Sequence, residues 1–256
     1  MRDNADVIEA IARIIAEEQP CVALTGAGIS VPSGIPDFRS RGGLWEKFDP
    51  ETYATAAAWR RNPGKVWDMF RDVGKLLVGS RPNAAHLALG ELEAMGLVKA
   101  VITQNIDGLH QAGGSTAVIE LHGNGRVIVC ERCGRRLTEE EELAILAAPG
   151  LPTCPADGGT VRPDVVLFGE SIPEEALRAA FSLAGACRSM LVVGTSGMVI
   201  PASALPHEAR RRGAKIIEVN LQSTALTPLA AISLFDSVDL ALPALLRAIK
   251  ERYSKM

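Results

Sequence analysis

Short apolar runs alternate with helical patterns along most of this chain, and that rhythm constrains its fold more than any other feature. Runs at 21–24, 100–103, 127–129, 165–168, 191–193 and 216–219 read as buried strands. Helical patterns occupy about 6–17, 82–95, 173–185, 202–212 and 242–252. In the first of these Val7, Ile8, Ile11, Ile14 and Ile15 share one face. Pro173, followed by Glu174 and Glu175, suits the first turn of the third. Strands alternating with helices predict an α/β fold with a mainly parallel sheet. Two stretches break the rhythm. Residues 40–80 carry Trp45, Phe48, Tyr53, Trp59, Trp67 and Phe70 and read as short helices forming a module. Residues 125–162 hold most of the cysteines and read as an insert between strands, with the acidic run 139–142 opening a helix capped by Thr138. A length of 256 residues fits one large domain, or one domain with a smaller insert.

Charge and composition exclude several classes. With 27 Lys and Arg against 30 Asp and Glu, the formal net charge of −3 argues against a direct nucleic-acid binder. No apolar run approaches the roughly 20 residues that span a bilayer, so no membrane partner is expected. The acidic, amphipathic start is not that of a secretory signal. Five unevenly spaced cysteines are too few for a disulfide scaffold, and the expected compartment is the cytoplasm.

The strand ends carry the chemistry. The first strand runs into Thr25-Gly26-Ala27-Gly28, which resembles the opening of a dinucleotide-binding turn. The fingerprint is incomplete: Val31 stands where a third small residue belongs, and no acidic residue ends a second strand about 20 residues on. An ordinary nicotinamide dehydrogenase is therefore disfavoured, while a nucleotide site or a plain tight turn both stay open. Other strands end in Gln104-Asn105-Ile106-Asp107-Gly108, in Gly194-Thr195-Ser196-Gly197 and in Asn220. Open α/β sheets bind ligands at these carboxyl ends, so four polar ends point to one polar cleft. Met198 stands where a serine-hydrolase elbow needs glycine.

Cys130-x2-Cys133 and Cys154-x2-Asp157 have the spacing of a zinc ribbon with aspartate in the fourth place. A metal-free turn capped by Asp157 before Gly158-Gly159 is the alternative. Cys21 and Cys187 lie in apolar contexts and read as small buried residues. His86 and His207 fall in helical patterns and read as structural, and His110 as a local hydrogen-bonding residue. His122, between Leu121 and Gly123 in a loop ahead of the insert, is a general-base candidate beside the cleft.

These residues resemble the sirtuin family, motif by motif and in order. Gly26-Ala27-Gly28-Ile29-Ser30, Ser33-Gly34-Ile35-Pro36-Asp37-Phe38-Arg39 and Gly43-Leu44-Trp45 look like its nucleotide loop. Thr103 to His110, Glu120-Leu121-His122-Gly123, Arg162 to Glu170 and Gly194-Thr195-Ser196 match the remaining motifs. The resemblance covers about 7–246. It implies a single catalytic domain over 1–256: a Rossmann-like large part at about 1–39, 81–124 and 163–256, and a small lobe made of a helical module, about 40–80, and a zinc-ribbon insert, about 125–162. It further implies an NAD-dependent protein-lysine deacylase. The acyl oxygen attacks C1′ of the nicotinamide ribose, and His122 as catalytic base takes a proton from the ribose hydroxyls. The products are free lysine, nicotinamide and O-acyl-ADP-ribose. An NAD-dependent protein mono-ADP-ribosyltransferase is the alternative, since the same nucleotide motifs serve both.

The resemblance also assigns roles. Gly26, Ala27 and Gly28 would offer N–H groups to phosphate, with Ser30, Asp37, Arg39 and Trp45 in the same loop system and Phe38 shielding the reacting carbon from water. Asn105, Ile106 and Asp107 would form the nicotinamide pocket, and Gln104 would meet the ribose hydroxyls. Gly194, Thr195, Ser196, Asn220, Leu221 and Gln222 would hold the phosphate and adenosine end, with Val238 closing over adenine. The acyl-lysine peptide would pair as a strand between Val166, Leu167, Phe168, Gly169, Glu170 and Gly197, Met198, Val199. Zinc would bind Cys130, Cys133, Cys154 and Asp157. Three departures stand out: Asp157 replaces a cysteine, 197–200 is less aromatic than usual, and Phe70 and Val73 stand where relatives that remove succinyl groups carry Tyr and Arg. Acyl-lysine proteins are the expected partners; the oligomeric state is open, with a monomer allowed.

Overall fold

In the computed structural model, which describes residues 4–253, the apolar runs assemble into a six-stranded parallel sheet. Residues 1–3 and 254–256 of the expected large domain lie outside the described residues. The chain runs through helix α1 (Asn4–Glu17), strand β1 (Cys21–Thr25) and helices α2 (Leu44–Lys47), α3 (Pro50–Tyr53), α4 (Ala56–Arg61), α5 (Pro63–Gly79) and α6 (Ala84–Ala94). Then come β2 (Val98–Thr103), α7 (Leu109–Ala112), β3 (Val118–Glu120), β4 (Gly123–Cys130), α8 (Glu139–Ala147) and β5 (Val161–Val165). The remainder is α9 (Glu174–Ala186), β6 (Ser189–Val193), α10 (Ala204–Arg211), β7 (Lys215–Asn220), β8 (Ile232–Phe235) and α11 (Val238–Tyr253).

The strand order is β3-β2-β1-β6-β7-β8. The chain winds outward from β1 in one direction and then from β6 in the other, so the switch point falls between them. Both central strands are buried at every residue, because helices cover both faces of the sheet. On one face α1, α6 and α11 pack around Ile11, Ile15, Leu89, Leu92, Leu242 and Leu245. On the other, α9 and α10 bring Ala180, Ala184, Leu205 and Ala209 against Val22, Leu24 and Met190. Among the described residues no helix is long and apolar enough to cross a membrane.

Strands β4 and β5 form a separate antiparallel pair, and α5 packs on it. Trp67 is fully buried between them, its Nε1–H donating to the Val161 carbonyl at 2.7 Å. Trp59 Nε1–H reaches the Glu131 carboxylate at 3.0 Å. Residues from the aromatic stretch and from the cysteine stretch thus share one core, which includes Phe70, Ile128, Leu137 and Val161. Thr138 caps α8 in a reciprocal box with Glu141, as the acidic run predicts.

Two strand expectations need correction. The run 165–168 is not a strand: β5 ends at Val165, the Leu167 N–H turns to the Glu170 carboxylate at 2.9 Å, and Gly169 at φ 86° reverses the chain. The run 127–129 is the end of the longer β4. The edge strands β3 and β8 escape sequence reading because they have three and four residues, and Leu234 is their one buried side chain.

Glu218 on β7 is a buried acidic side chain of the sheet, 1% exposed. Its carboxylate accepts from the hydroxyls of Thr224, Thr227 at 2.8 Å and Ser233 at 2.9 Å, and so ties the loop after β7 and the strand β8 to the sheet. Glu218→Ala strips three hydroxyls of their acceptor and is expected to cost about 2–4 kcal/mol. Glu218→Gln, which keeps an accepting oxygen, costs less. Urea midpoints measure both, and a wild-type midpoint for Glu218→Ala would contradict the assignment.

Candidate active site

A cavity of about 940 Å³ opens at the carboxyl ends of the strands, across the switch point. Its floor depends on glycine. A Cβ added to Gly28 would lie 2.8 Å from the Gly194 Cα, one on Gly26 2.8 Å from the Thr195 Cβ, and one on Gly194 2.4 Å from the Ile29 nitrogen. Gly194 also sits at φ 60°, in the left-handed region. The turns after β1 and β6 therefore touch backbone to backbone. Gly26 and Gly28 donate their N–H groups to the carbonyls of Val193 and Gly194, at 3.1 and 2.8 Å. This corrects the expectation that both N–H groups are free for phosphate: here glycine serves close approach, and Ala27 between them lines the cavity.

The loop that follows is a closed turn. Asp37 Oδ1 accepts from the N–H groups of Arg39 at 3.1 Å and Ser40 at 2.8 Å, while Leu44 and Trp45 donate back to the Asp37 and Phe38 carbonyls. Phe38 and Trp45 rings stand 4.9 Å apart, and Trp45 lies 6.2 Å from Phe168. Phe38, Arg39, Trp45 and Phe168 all line the cavity. Asp37 orders this loop, and the aromatic rings cluster beside it.

Behind the first turn lies a buried polar network. Asn105 Nδ2 donates to Gly26 O and Ser30 Oγ, both at 3.1 Å, which leaves Oδ1 as its accepting edge in the cavity. Asp107 accepts from Ser30 Oγ at 2.7 Å and from the Leu109 N–H at 2.9 Å. His86, read from sequence as structural, reaches this group: its Nδ1 accepts from the Asn83 N–H at 3.3 Å, so the proton sits on Nε2, 3.5 Å from Ser30 Oγ. His110 Nε2 lies 2.8 Å from Thr25 Oγ1, which also donates to Thr103 Oγ1. Burial pulls His86 down to about 4 and His110 to about 3, so both rings are neutral near pH 7.

His122 follows the edge strand β3 and enters the same cavity. Its Nδ1–H donates to the Gln104 carbonyl at 2.9 Å, which leaves Nε2 as the basic nitrogen. Burial lowers its pKa below the ordinary imidazole value, and the bond to Gln104 opposes that in part. Gln104 Nε2 in turn donates to Thr195 Oγ1 at 2.9 Å, and Asn220 Nδ2 to the Thr195 carbonyl at 2.9 Å, so three strand ends are tied together.

Gly194, Thr195, Ser196, Asn220, Gln222 and Ile106 line the cavity. Val238 does not: it is 4% exposed in the core beside Ala241 and Leu242, where it cannot close over a ligand. Leu221 is 69% exposed and also stands off the cavity. Ser223, Thr224 and Ala225 line that end instead. Their signal was a small polar run directly after the β7 strand end. On the peptide side, Val166 to Glu170 and Val199 line the cavity, whereas Gly197 and the exposed Met198 do not. One edge of the segment 166–170 is taken up where Phe168 pairs with Ala54 and Ala56 at 2.9 Å.

Away from the cavity, the ligand atoms of Cys130, Cys133, Cys154 and Asp157 lie within 4.8 Å of one another. Cys133 and Cys154 sulfurs are 4.0 Å apart, and Cys130 Sγ is 3.4 Å from Asp157 Oδ1. A tetrahedral zinc with usual bond lengths needs about 3.8 and 3.5 Å for such pairs. The two halves have the same backbone. Gly134 at φ 71° follows Cys133 and donates to Cys130 O at 2.9 Å; Gly158 at φ 68° follows Asp157 and donates to Cys154 O at 2.9 Å. Asp157 occupies in the second knuckle the place that Cys133 holds in the first. The donor set fits zinc, with Asp157 as fourth ligand.

A sequence profile described as the Sir2 family matches residues 26–201. The chain belongs to the Sir2 family. An NAD-dependent protein deacylase of Pyrococcus furiosus is 45% identical over 247 residues, covering 96% of this chain and 98% of that protein. An NAD-dependent protein deacetylase of Thermodesulfovibrio yellowstonii is 44% identical, covering 93% of each chain. Among solved structures, a Sir2 homologue bound to NAD superposes with a TM-score of 0.87 at 39% identity, covering 95% of this chain and 94% of that one. A Sir2 variant with a deacetylated p53 peptide and 3′-O-acetyl ADP ribose gives 0.87 at 36% identity, covering 96% and 98%.

In this sirtuin the metal cluster carries its own test. Purified protein should contain close to one zinc per chain by elemental analysis. Asp157→Ala should lose zinc to a chelator faster than wild type, and Asp157→Cys slower, because thiolate binds zinc more firmly than carboxylate. Metal-free protein with unchanged thermal stability would refute the site.

Proposed function

We propose that this chain is an NAD-dependent protein-lysine deacylase in which His122 is the catalytic base. The observation that carries the reading is a single cavity holding the glycine turn, the Asn105 edge and a His122 ring whose Nδ1 is fixed by the Gln104 carbonyl. When bound, NAD supplies the ribose carbon from which nicotinamide departs and to which the acyl oxygen adds. Asn105 Oδ1 and Asp107 are the acceptors suited to a carboxamide, held by Ser30. Arg39 supplies positive charge for the pyrophosphate, and Thr195 and Ser196 offer hydroxyls to the same end. Phe38, Trp45 and Phe168 exclude water from the reacting carbon. His122 Nε2 then takes a proton from the ribose hydroxyls and lets the ribose oxygen reach the acyl carbon. One water then adds to the acyl carbon as the amine is expelled, so the products are free lysine, the nicotinamide released earlier, and O-acyl-ADP-ribose.

The peptide clamp between 166–170 and 199 belongs to this reading, as does the division into a large part and a lobe built from about 40–80 and 125–162. So does a cytoplasmic setting, which is read from five sparse and unevenly spaced cysteines.

Removing the base should lower kcat/KM by ~10²–10⁴-fold in folded His122→Ala. Because the folded pKa of His122 is depressed, the ring stays unprotonated at lower pH than a free imidazole. Activity should therefore rise with pH along an acid limb centred below the ordinary value of about 6.5. Mass spectrometry of an acetyl-lysine peptide with NAD measures both effects; wild-type turnover by His122→Ala would overturn the assignment.

Acyl selectivity follows from charge. Phe70 and Val73 line the cavity, and Arg71 between them turns away: its Nη1 meets Asp68 at 3.1 Å, and its Nη2 the carbonyls of Ala148 and Gly150 at 3.2 and 2.7 Å. Among the described residues Arg39 is the one Lys or Arg lining the cavity. A succinyl carboxylate buried against Phe70 and Val73 would have no cation, a penalty of several kcal/mol. We expect acetyl-lysine to be preferred over succinyl-lysine by at least ~10²-fold in kcat/KM on one peptide. Equal rates would show that a cation reaches the acyl group.

A further inference from the structure

The apolar end of the cavity is longer than an acetyl group needs. Met69, Phe70, Val73 and Leu77 line it from one face of α5. From Met69 to Leu77 that face runs about 12 Å. Val73 packs against both the lobe core around Phe70 and a second apolar cluster with Leu77 and Ile35, so the wall is continuous. Ile106 faces it from the end of β2.

What backs this wall is the absence of a side chain. Gly125 on β4 donates its N–H to the Ile106 carbonyl at 2.8 Å. A Cβ there would lie 2.9 Å from Leu77 Cδ1 and 3.1 Å from Ile106 Cδ1. A third contact, 3.1 Å from the Ile106 carbonyl oxygen, is main chain and gives little, so a methyl at 125 would make its room by pushing the movable ends of Leu77 and Ile106 into the cavity.

We propose that Gly125 sets the depth of the acyl pocket, and that the pocket takes linear saturated acyl chains several carbons longer than acetyl. The proposal rests on the deacylase reading above. Each methylene buried along the α5 wall favours binding by about 4-fold, so a longer chain gains what acetyl leaves unused. Gly125 is a specificity-determining residue that acts through Leu77 and Ile106 and does not itself touch the reacting atoms.

The test compares kcat/KM for acetyl- and octanoyl-lysine on one peptide, with NAD, in the full-length protein. Wild type should turn over octanoyl-lysine at least as efficiently as acetyl-lysine. Gly125→Ala should lower the octanoyl-to-acetyl ratio at least 10-fold. Leu77→Phe, which fills the same place from the helix, should lower it likewise and serves where Gly125→Ala does not fold. Octanoyl turnover in wild type more than 10-fold below acetyl, or a ratio unmoved in both folded variants, would overturn the proposal while leaving the deacylase reading intact. No turnover of either peptide by wild type would remove that reading and the proposal with it.

Discussion

The backbone contact between the turns after β1 and β6 is the constraint on which the site depends. Gly28 meets Gly194 so closely that a methyl on either would collide with main-chain atoms, and a main-chain clash cannot be relieved by a rotamer change. The contact fixes the two turns at the switch point of the sheet. Thr195 then receives Gln104 from β2 and Asn220 from β7, and Gln104 holds His122 from β3 through its carbonyl. Four strand ends are thus referred to one another by hydrogen bonds that begin at a glycine contact. His122 is thus positioned by the sheet, through Gln104 at the end of β2.

The lobe solves a different problem. Neither the short helices of 40–80 nor the β4–β5 pair has enough apolar surface to fold alone, and they share one core through Trp67 and Phe70. The two cysteine knuckles close the far end of that core, with Cys130 and Cys154 themselves buried in it. Metal there contributes to folding rather than to chemistry. Because α5 forms both the outer wall of this core and the apolar wall of the cavity, packing in the lobe and acyl selectivity are one structural question.

Much of this was legible in the sequence. The central strands are unbroken apolar runs because both faces are covered, and their polar ends mark the cleft. Thr138 and the acids after it announce α8 by capping chemistry alone. What could not be read had physical causes. Val238 was placed by spacing, but it opens α11 on the inward face that also carries Ala241 and Leu242. Residues 165–168 look like a strand by composition, yet Glu170 and Gly169 bend them into a turn. The N–H groups of Gly26 and Gly28 are spent on β6, which only the parallel pairing of β1 with β6 reveals. The role of Gly125 was also hidden, since it depends on which side chains lie opposite an empty position.

The buried histidines complete the polar network behind Asn105. Sequence showed His86 and His110 only as members of helical patterns or loops. In the fold their rings lie edge to face at 5.0 Å, and burial is the first cause of the low pKa of each. Two imidazolium ions at that spacing in a low-dielectric interior would repel strongly, so the network is stable only with both rings neutral. His86 can then donate toward Ser30 without adding a charge beside Asp107. Asp107 accepts from Ser30 and the Leu109 N–H, so among the described residues the network behind Asn105 is held by hydrogen bonds and not by ion pairs.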